Sequence, residues 1–388
     1  MTAIMSEDSS ICSSQFQPHL KYLGVFLGFN VHDLNWSGPV RSFINVVKVI
    51  SFLECGVLTK IALYNMLAIS KLGYVATFFA PTASVFKAED RALQLLLKGP
   101  WNAIPGRIMK NLKQFGFPIE ARDLSALASA ASVRCAGQTC SVLHTCITKI
   151  RDMMENSPDL VLSELTGSHF STSILHHLDA CLQGYRDTSC GYDDKGLQQR
   201  LLYKYFRLNG NQVSVSDFIL LRVSHFLPAG TFEHSIPGLV EHYQGLCRKG
   251  FPGLVFTHFR LVCNHWCTNS RFGADATPCP FQCGHECDKV AHVACCPVYW
   301  QCFCSIVGTT EFCLGIHDAL TVAHHGSTLS DDASLMFLFG LHICFLIFNK
   351  LRHGGKFSTP EVRHLIRQYA ASHCKIRPVI RHAAGIVV

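Results

Sequence analysis

Charged residues are scarce in this sequence, and a targeting segment is missing from its start. Only 16% of the 388 residues are charged while 48% are hydrophobic. This composition excludes a disordered or acidic-tail protein, because such chains are rich in charge and poor in apolar residues. The first ten residues carry acids where a secretory signal carries a basic and then an apolar stretch. We therefore expect a protein that is not exported and that resides in the nucleus or cytoplasm.

Several enzyme motifs and a full-length membrane span are missing as well. The sequence has no Gly-x-x-x-x-Gly-Lys-Ser/Thr loop, no His-Glu-x-x-His and no Gly-x-Ser-x-Gly. The most apolar stretch, residues 335–348, is shorter than the roughly 20 residues that cross a bilayer. We expect this stretch to be a buried core helix, with a spanning helix as the alternative.

Apolar residues recur at helical spacing over most of the chain, and we predict a mainly α fold. Phe43, Val47 and Ile50 illustrate the pattern in a helix that is expected to follow Pro39. The N-terminal stretch 21–29 predicts one short β strand, in which Gly24 and Gly28 allow close approach of the backbone. Further helices are expected at 58–80, 85–97, 105–115, 119–135, 141–155 and 197–206.

Positive charge is concentrated at the C-terminal end. Residues 349–388 hold eight basic residues and one acid, Glu361, which accounts for the whole net charge of +7. A basic segment on a neutral body favours a polyanionic partner, with a solvated helix face as the alternative. Ser358-Thr359-Pro360-Glu361 is typical of a helix N-terminus. In that helix Arg363 and Arg367 share one polar face.

Cysteines and histidines crowd into one segment. Ten of the 20 cysteines lie between Cys247 and Cys304, among Gly and Pro residues that are typical of loops. Without a secretory leader these thiols are expected to be reduced. A loop-rich segment needs an external staple, which a bound metal ion supplies. A cluster of buried free thiols is the alternative.

Four residues of this segment have the spacing of a structural zinc site. Such a site takes four Cys or His ligands in a tetrahedron, supplied as two close pairs. Cys279 and Cys283 flank a turn, and His292 and Cys296 lie one turn apart on a short helix that we expect Pro297 to end. We therefore predict one structural zinc ion bound by these two pairs. Three neighbouring donors leave the ligand set open: His285, Cys287 and Cys295.

Two parts of the chain resemble the reverse transcriptases of non-LTR (LINE-type) retrotransposons. The run Asn264-His265-Trp266-Cys267-Thr268-Asn269-Ser270-Arg271-Phe272, with the Cys/His string after it, resembles the C-terminal Cys/His segment of that family. Lys21-Tyr22-Leu23-Gly24-Val25 resembles the strand that grips the primer. Three later segments resemble the thumb and connector: Leu58-Thr59-Lys60 to Tyr64-Asn65, Leu93 to Pro105, and Gly116-Phe117-Pro118. The likeness covers residues 20–118 and 258–300.

The resemblance implies a fragment of an RNA-directed DNA polymerase. RNA and DNA would be its partners, together with the palm and fingers, which we expect to be missing from this chain and to come from the same polyprotein. A reverse transcriptase holds two divalent metals with palm carboxylates. Neither Tyr192-Asp193-Asp194 nor Asp331-Asp332 has the required pattern or place. We therefore expect no catalytic residue and no polymerisation by this chain, and no membrane partner.

Basic and aromatic residues of these segments are the candidate nucleic-acid contacts. Lysines and arginines neutralise phosphates, and exposed aromatic rings stack on bases. The candidates are Lys60, Arg107, Lys110, Lys113, Trp266, Phe281, Arg363 and Arg367, with Lys48 and Lys71 as further phosphate contacts. The alternative for the whole chain is a zinc-stapled helical structural or interaction protein that binds no nucleic acid.

These features divide the chain into five expected segments. A disordered leader (1–18) precedes the primer-grip strand and thumb-like helical domain (19–118). A helical connector (119–245) leads to a zinc-knuckle-like module (246–310). The C-terminal helical region with its basic tail (311–388) completes the chain. The predicted architecture is thus a helical thumb- and connector-like bundle with a short N-terminal β segment and a small Cys/His module.

Overall fold

Most of the chain is described by a computed structural model, and helices dominate it. The described residues are 19–22, 24–28, 31–99, 103–135, 203–204, 206–207, 213–228, 232–268, 278–285, 289–308, 315–324, 327–328, 331–354 and 358–372. The predicted mainly α fold with a short N-terminal β segment is confirmed. Three predicted features lie outside the described residues: the leader, the helix at 141–155 and the Tyr192–Asp194 turn.

Helices of 4 to 21 residues and one hairpin form the described first part of the chain. Its elements are β1 (His19–Tyr22), β2 (Val25–Gly28), α1 (His32–Phe52), α2 (Val57–Leu63), a π-helical turn (Tyr64–Ala68), α3 (Ser70–Ala76), α4 (Ala83–Leu97), α5 (Gly106–Met109), a 3₁₀ turn (Leu112–Phe115) and α6 (Leu124–Cys135). The helix predicted at 85–97 is α4, whereas the helix predicted at 58–80 is divided by the π-helical turn.

The second part of the chain contains the longest of the described helices. Its elements are α7 (Val215–Val223), a 3₁₀ turn (Glu233–Ser235), α8 (Ile236–Arg248), α9 (Pro252–Val262), α10 (Val290–Ala294), α11 (Pro297–Val307), α12 (Ile316–Thr321), β3 (Ala323–His324), β4 (Ser327–Thr328), α13 (Asp331–Gly354) and α14 (Thr359–Ser372). The strands β3 and β4 pair with each other, antiparallel.

The N-terminal β segment is a hairpin and not the single strand predicted at 21–29. β1 and β2 pair antiparallel, with Tyr22 opposite Val25. Gly24 lies between them with φ +84°, a left-handed conformation that glycine adopts without steric cost. The glycine therefore turns the chain and divides the predicted strand into two.

α1 begins at His32, well before the helix start predicted after Pro39. Pro39 lies inside the helix, where it cannot donate a hydrogen bond to the Asn35 carbonyl. The Asn35 side chain accepts a hydrogen bond from Phe26 N (2.7 Å) and donates to Phe26 O (2.8 Å) and Val31 O (3.0 Å). These side-chain hydrogen bonds stabilise the first turn of α1. The spacing of apolar residues gives no sign of them, so the helix start was predicted too late.

The chain divides into two compact units, each built from separate segments. Unit 1 comprises Met1–Val49, Tyr64–Glu89 and Arg122–Gly210, and unit 2 comprises Ile50–Leu63, Asp90–Ala121 and Asn211–Val388. The five segments expected from the sequence stay a prediction.

Unit 1 has a core of aromatic and small apolar residues with one buried carboxylate. The rings of Phe43 and Tyr64 meet edge to face at 5.9 Å, and α3 packs against α6. Glu89 is fully buried. It accepts hydrogen bonds from the Tyr64 hydroxyl (3.4 Å) and from Leu124 N (3.0 Å). Burial, with the nearby Glu89 charge, raises the pKa of Tyr64, so its hydroxyl stays protonated and acts as the donor.

Unit 2 has its core where α9 and α13 pack together. His258 of α9 is fully buried, and its Nε2 faces the Ala319 carbonyl at 2.7 Å. A carbonyl only accepts, so Nε2 carries the proton and Nδ1 accepts a hydrogen bond from the Tyr243 hydroxyl (2.5 Å). Burial lowers the pKa of His258 to about 4, which keeps this imidazole neutral.

The apolar stretch 335–348 lies within α13, and most of its residues are buried, as expected of a core helix. Asp332–Lys350 and Val290–Val307 are long and apolar enough to cross a membrane, by length and composition alone. Of their residues, 67% and 56% are buried inside the protein. Burial of this kind is typical of core helices, which pass the same test of length and apolarity.

Candidate metal centre

Four side chains of unit 2 converge on one point: Cys279, Cys283, His292 and Cys296. Their ligand atoms all lie within 4.8 Å of one another. The Sγ atoms of Cys279 and Cys296 are 3.7 Å apart, and Cys283 Sγ lies 3.1 Å from His292 Nε2. A tetrahedral ion with Zn–S and Zn–N bond lengths spaces its ligand atoms about 3.5–3.8 Å apart. The prediction that these four side chains come together is confirmed, and the cluster can hold a metal ion.

The first two cysteines lie on a loop that its own backbone closes. Gln282 N donates to the Cys279 carbonyl (3.0 Å), and Cys279 N donates to the His285 carbonyl (2.9 Å). Gln282 and Gly284 have φ values of +57° and +83°, which curl the chain in the left-handed region. The curl brings Cys283 back beside Cys279, so a gap of three residues suffices to form the ligand pair.

The other two ligands come from the junction of two helices. His292 lies in α10, but Cys296 lies beyond its end and is the N-cap of α11. The prediction that one helix carries both and ends at Pro297 is wrong, because Pro297 occupies the first turn of α11, where proline is favoured. Trp300 Nε1 donates to the Ala294 carbonyl (2.7 Å) and ties α11 to the end of α10.

The cluster has a buried side and an accessible side. Cys279 and Cys296 are buried, whereas Cys283 and His292 are half-buried. The hydrogen bond between the Cys279 and Cys296 side chains lowers the pKa of Cys279 and so favours the thiolate, the form that binds metals. Burial raises the pKa of Cys283. A metal ion would therefore displace thiol protons as it binds.

Two of the three spare donors lie next to the four-residue cluster without belonging to it. The exposed His285 ring stacks on the His292 ring, with centroids 3.9 Å apart and planes at 14°. Burial raises the pKa of Cys295 to about 12, so this half-buried residue remains a thiol at neutral pH. Cys287 lies outside the described residues. The stacking makes His285 a neighbour that orients His292, a relation that donor spacing alone did not reveal.

Three of the candidate nucleic-acid contacts are buried, which corrects their predicted role. Lys60 is 5% exposed, and its Nζ donates to the Ser51 carbonyl (2.9 Å) in the last turn of α1. Trp266 packs on aromatic residues of α13, and Phe281 packs on Tyr299 with ring centroids 5.1 Å apart. Both rings are buried in the apolar interior of the protein, where no base can reach them. The prediction that they stack on bases is therefore wrong, and Phe281 instead anchors the cysteine loop to α11.

The candidate arginines of α14 are exposed. The helix begins as predicted, since Glu361 Oε2 accepts hydrogen bonds from Ser358 N (2.6 Å) and Oγ (2.7 Å). Val362 is buried, whereas Arg363 and Arg367 lie on the outer face. The sequence pattern thus assigned the two faces of this helix correctly.

The remaining candidates are accessible to different degrees. Lys48 and Lys71 are exposed in unit 1. Arg107 and Lys113 are exposed in unit 2, whereas Lys110 is half-buried. A phosphate group can reach the exposed side chains. Their exposure is compatible with the predicted phosphate contacts, which stay a prediction.

Comparisons with known proteins identify no family for this chain. No protein-family model matches the sequence, and no curated protein or solved structure matches it significantly. The resemblance to reverse transcriptases therefore depends on the sequence motifs, and the helical fold and the four-donor cluster stand independently of it.

Proposed function

We propose that this chain is a zinc-stapled nucleic-acid-binding module, equivalent to the C-terminal part of a non-LTR retrotransposon reverse transcriptase. The observation that carries the proposal is the convergence of Cys279, Cys283, His292 and Cys296 within 4.8 Å. Thiolate and imidazole donors favour zinc over magnesium or calcium, which prefer oxygen. Four protein donors leave no open position on a tetrahedral ion, so the zinc is structural and not catalytic.

The metal centre supports a basic surface through α11. Cys296 is both a cluster residue and the N-cap of α11, and α11 packs against α14. The exposed side of α14 carries Arg363 and Arg367, with the exposed His364 beside them. An ion that holds Cys296 thus holds the start of the helix that supports these arginines. Paired arginines on a rigid helix are suited to neighbouring phosphates of a nucleic-acid backbone.

A zinc-stapled structural or interaction protein is the second candidate function. The burial of Lys60, Trp266 and Phe281 favours it, since these residues are three of the ten nucleic-acid contacts expected from the sequence. This candidate keeps the metal and the helical fold but leaves the arginines of α14 as a solvated face. Polymerisation is expected from neither candidate.

Metal analysis of the full chain tests the zinc. Protein purified in reducing buffer is expected to contain one zinc ion per chain, and cobalt-exchanged protein should show the absorption of tetrahedral cobalt bound to thiolates. The Cys283→Ser variant should lose both signals. A metal-free, folded wild-type protein would overturn the proposed zinc site.

Binding to a short labelled oligo(U) at several salt concentrations tests the nucleic-acid function. The Arg363→Ala/Arg367→Ala variant should weaken binding and reduce the steepness of log affinity against log salt by about 1.4, which corresponds to two lost contacts on a single strand. The matched control is Arg248→Ala/Lys249→Ala, a pair of exposed basic residues at the end of α8.

The outcomes of this binding experiment separate the two candidate functions. An equal loss in both variants would mean that net charge and not α14 drives binding. Undetectable or salt-independent binding by the wild type would leave only the structural candidate. Point substitutions are preferable to removing the tail at Asn349, since that cut falls within α13 and deletes the buried Val362.

A further inference from the structure

Unit 1 as a whole carries 14 basic and 13 acidic residues, but the exposed charges among its described residues are mainly basic. Residues 1–348 as a whole carry 26 basic and 26 acidic residues. Six basic side chains are exposed among the described residues of unit 1: Lys21, Arg41, Lys48, Lys71, Lys87 and Arg122. Its acids in the same ranges are Asp33, Glu89 and Asp123, of which only Asp33 is exposed. The described part of this surface therefore favours a polyanion.

One helix face of unit 1 also exposes aromatic rings beside a lysine. Lys71, Tyr74 and Phe78 follow one another at i, i+3 and i+7 along α3 and the turn after it, so they share one side. Tyr74 is 49% exposed and Phe78 56% exposed, and their rings meet edge to face at 5.4 Å. Leu72 and Val75 on the other side of the helix are buried.

The aromatic pair is presented by an anchored backbone. Phe79 N donates to the Val75 carbonyl (2.9 Å), which continues the helical turn past Phe78. The Phe79 ring meets His32 edge to face at 5.8 Å. One residue later, the Ala80 carbonyl accepts a hydrogen bond from the indole of Trp36 (3.2 Å). Because the helical turn continues through Phe78 and the two residues after it contact α1, Phe78 projects from a fixed position.

We propose that Lys71, Tyr74 and Phe78, here called the aromatic–basic stripe, form a platform on which the bases of single-stranded nucleic acid stack. The inference rests on the proposed nucleic-acid function and assigns its base-stacking contacts. Every base offers a π face to an aromatic ring, while the adjacent lysine attracts the backbone phosphate. The six exposed basic residues on the described part of unit 1, against one exposed acid, favour this occupant over an apolar protein segment. The stripe also supplies the stacking that the buried Trp266 and Phe281 cannot provide.

Leucine substitutions in the full chain test the platform. Tyr74→Leu/Phe78→Leu keeps apolar area but removes both rings, so affinity for oligo(U) of about 12 nucleotides should fall at least about tenfold, given typical stacking contributions per base. Tyr74→Phe should bind like the wild type. The matched control is Phe52→Leu, because Phe52 of unit 2 is 77% exposed and lies 5.7 Å from Lys98 Nζ.

Each outcome of this experiment is informative. Unchanged affinity of the leucine pair, with wild-type binding intact, would overturn the platform and leave the nucleic-acid function standing. An equal loss for a blunt RNA duplex would also overturn it, because paired bases are not free to stack. An equal loss in Phe52→Leu would show that any exposed ring suffices and would overturn the assignment to α3. If the wild type binds no nucleic acid, the platform and the proposed function fall together.

Discussion

Two regions of unit 2 are held together by different forces. The described residues of the segment 278–296 form a curled loop and one helix of five residues, and the four donors of the cluster converge between them. The core around α9 and α13 is instead packed from long apolar helices, with Phe259 and Phe337 fully buried. Long amphipathic helices bury enough apolar surface to stay folded, whereas a short loop does not. The cluster region should therefore depend on metal far more than the helical core does.

The largest expected effect is the loss of the metal centre. Cys296→Ser should abolish metal binding and remove the amide protection of residues 278–296, while α13 keeps its protection. Structural zinc sites contribute about 10 kcal/mol or more in small domains, so a local loss of several kcal/mol is expected. Native-state hydrogen exchange measures both regions in one experiment.

The matched control for this experiment is Cys302→Ser. Cys302 is a buried thiol in α11 that does not belong to the cluster, so its substitution should leave the metal content unchanged. If Cys296→Ser lost amide protection equally in α13 and in residues 278–296, the two regions would fold as one unit. That result would contradict the difference in metal dependence between them.

The next effect concerns the helical core and its buried imidazole. The folded-state pKa of His258 is about 4, below the unfolded value of about 6.5. Between these values the unfolded chain binds a proton that the folded chain does not, so stability falls as the pH falls from about 6.5 to 4. At pH 5 the loss attributable to this group should be about 2 kcal/mol relative to pH 7.5.

Urea unfolding of the wild type and of His258→Gln at pH 7.5 and pH 5 measures this contribution. The variant should be less stable at pH 7.5 but should lose less on acidification. Metal release at low pH affects both proteins and cancels in the difference between them. The exposed His364 provides the control, since His364→Gln should follow the wild type. Identical pH dependence in all three proteins would contradict the assignment to His258.

A smaller effect is expected where α11 crosses α13. A Cβ atom on Gly340 would lie 2.6 Å from Trp300 Cζ3 and 2.9 Å from Phe303 Cε1. Gly340→Ala should therefore cost about 1–3 kcal/mol of unfolding free energy through overpacking without removing the metal. Gly238→Ala in α8 is the control, because a Cβ there has open space around it. A neutral Gly340→Ala in thermal unfolding would show that the crossing adjusts easily.

The smallest effect is expected at the start of α14. Ser358→Ala removes the hydroxyl that donates to Glu361 Oε2 but keeps the bond from Ser358 N, so the first turn of α14 should be only slightly less stable. The change should raise hydrogen exchange in the first turns of α14 and leave the metal content unchanged. Ser358→Thr keeps a hydroxyl and should match the wild type. If Ser358→Ala lowered the metal content, the start of α14 and the metal cluster would be energetically coupled. That result would contradict the prediction that the change affects α14 alone.

The features that the sequence predicted correctly depend on residues close together in the chain. The helical period identified α4 and the buried stretch of α13, and the Ser358–Glu361 cap identified the start of α14. The same holds for the four candidate ligands, which lie within 18 consecutive residues from Cys279 to Cys296. Donor spacing over so short a segment limits the ways in which one ion can be surrounded.

Predictions from the local sequence pattern were wrong where the same residue is compatible with two backbone conformations. Pro297 was expected to end a helix and instead begins one, because proline suits both positions. Gly24 was expected to allow close approach of a strand and instead turns a hairpin. In each case the choice depends on whether the neighbouring segment finds a partner, which the local sequence does not specify.

The sequence by itself determined the helical class, the ligands that can meet one ion and the polar face of α14. Only the tertiary structure decided which aromatic and basic side chains face solvent. Trp266, Phe281 and Lys60 are buried, while Tyr74 and Phe78 are exposed. The reason is physical: the period of apolar residues and the spacing of metal donors depend only on residues that are close together in the sequence. Burial of a given ring depends on residues far away in sequence, such as those of α13 that cover Trp266.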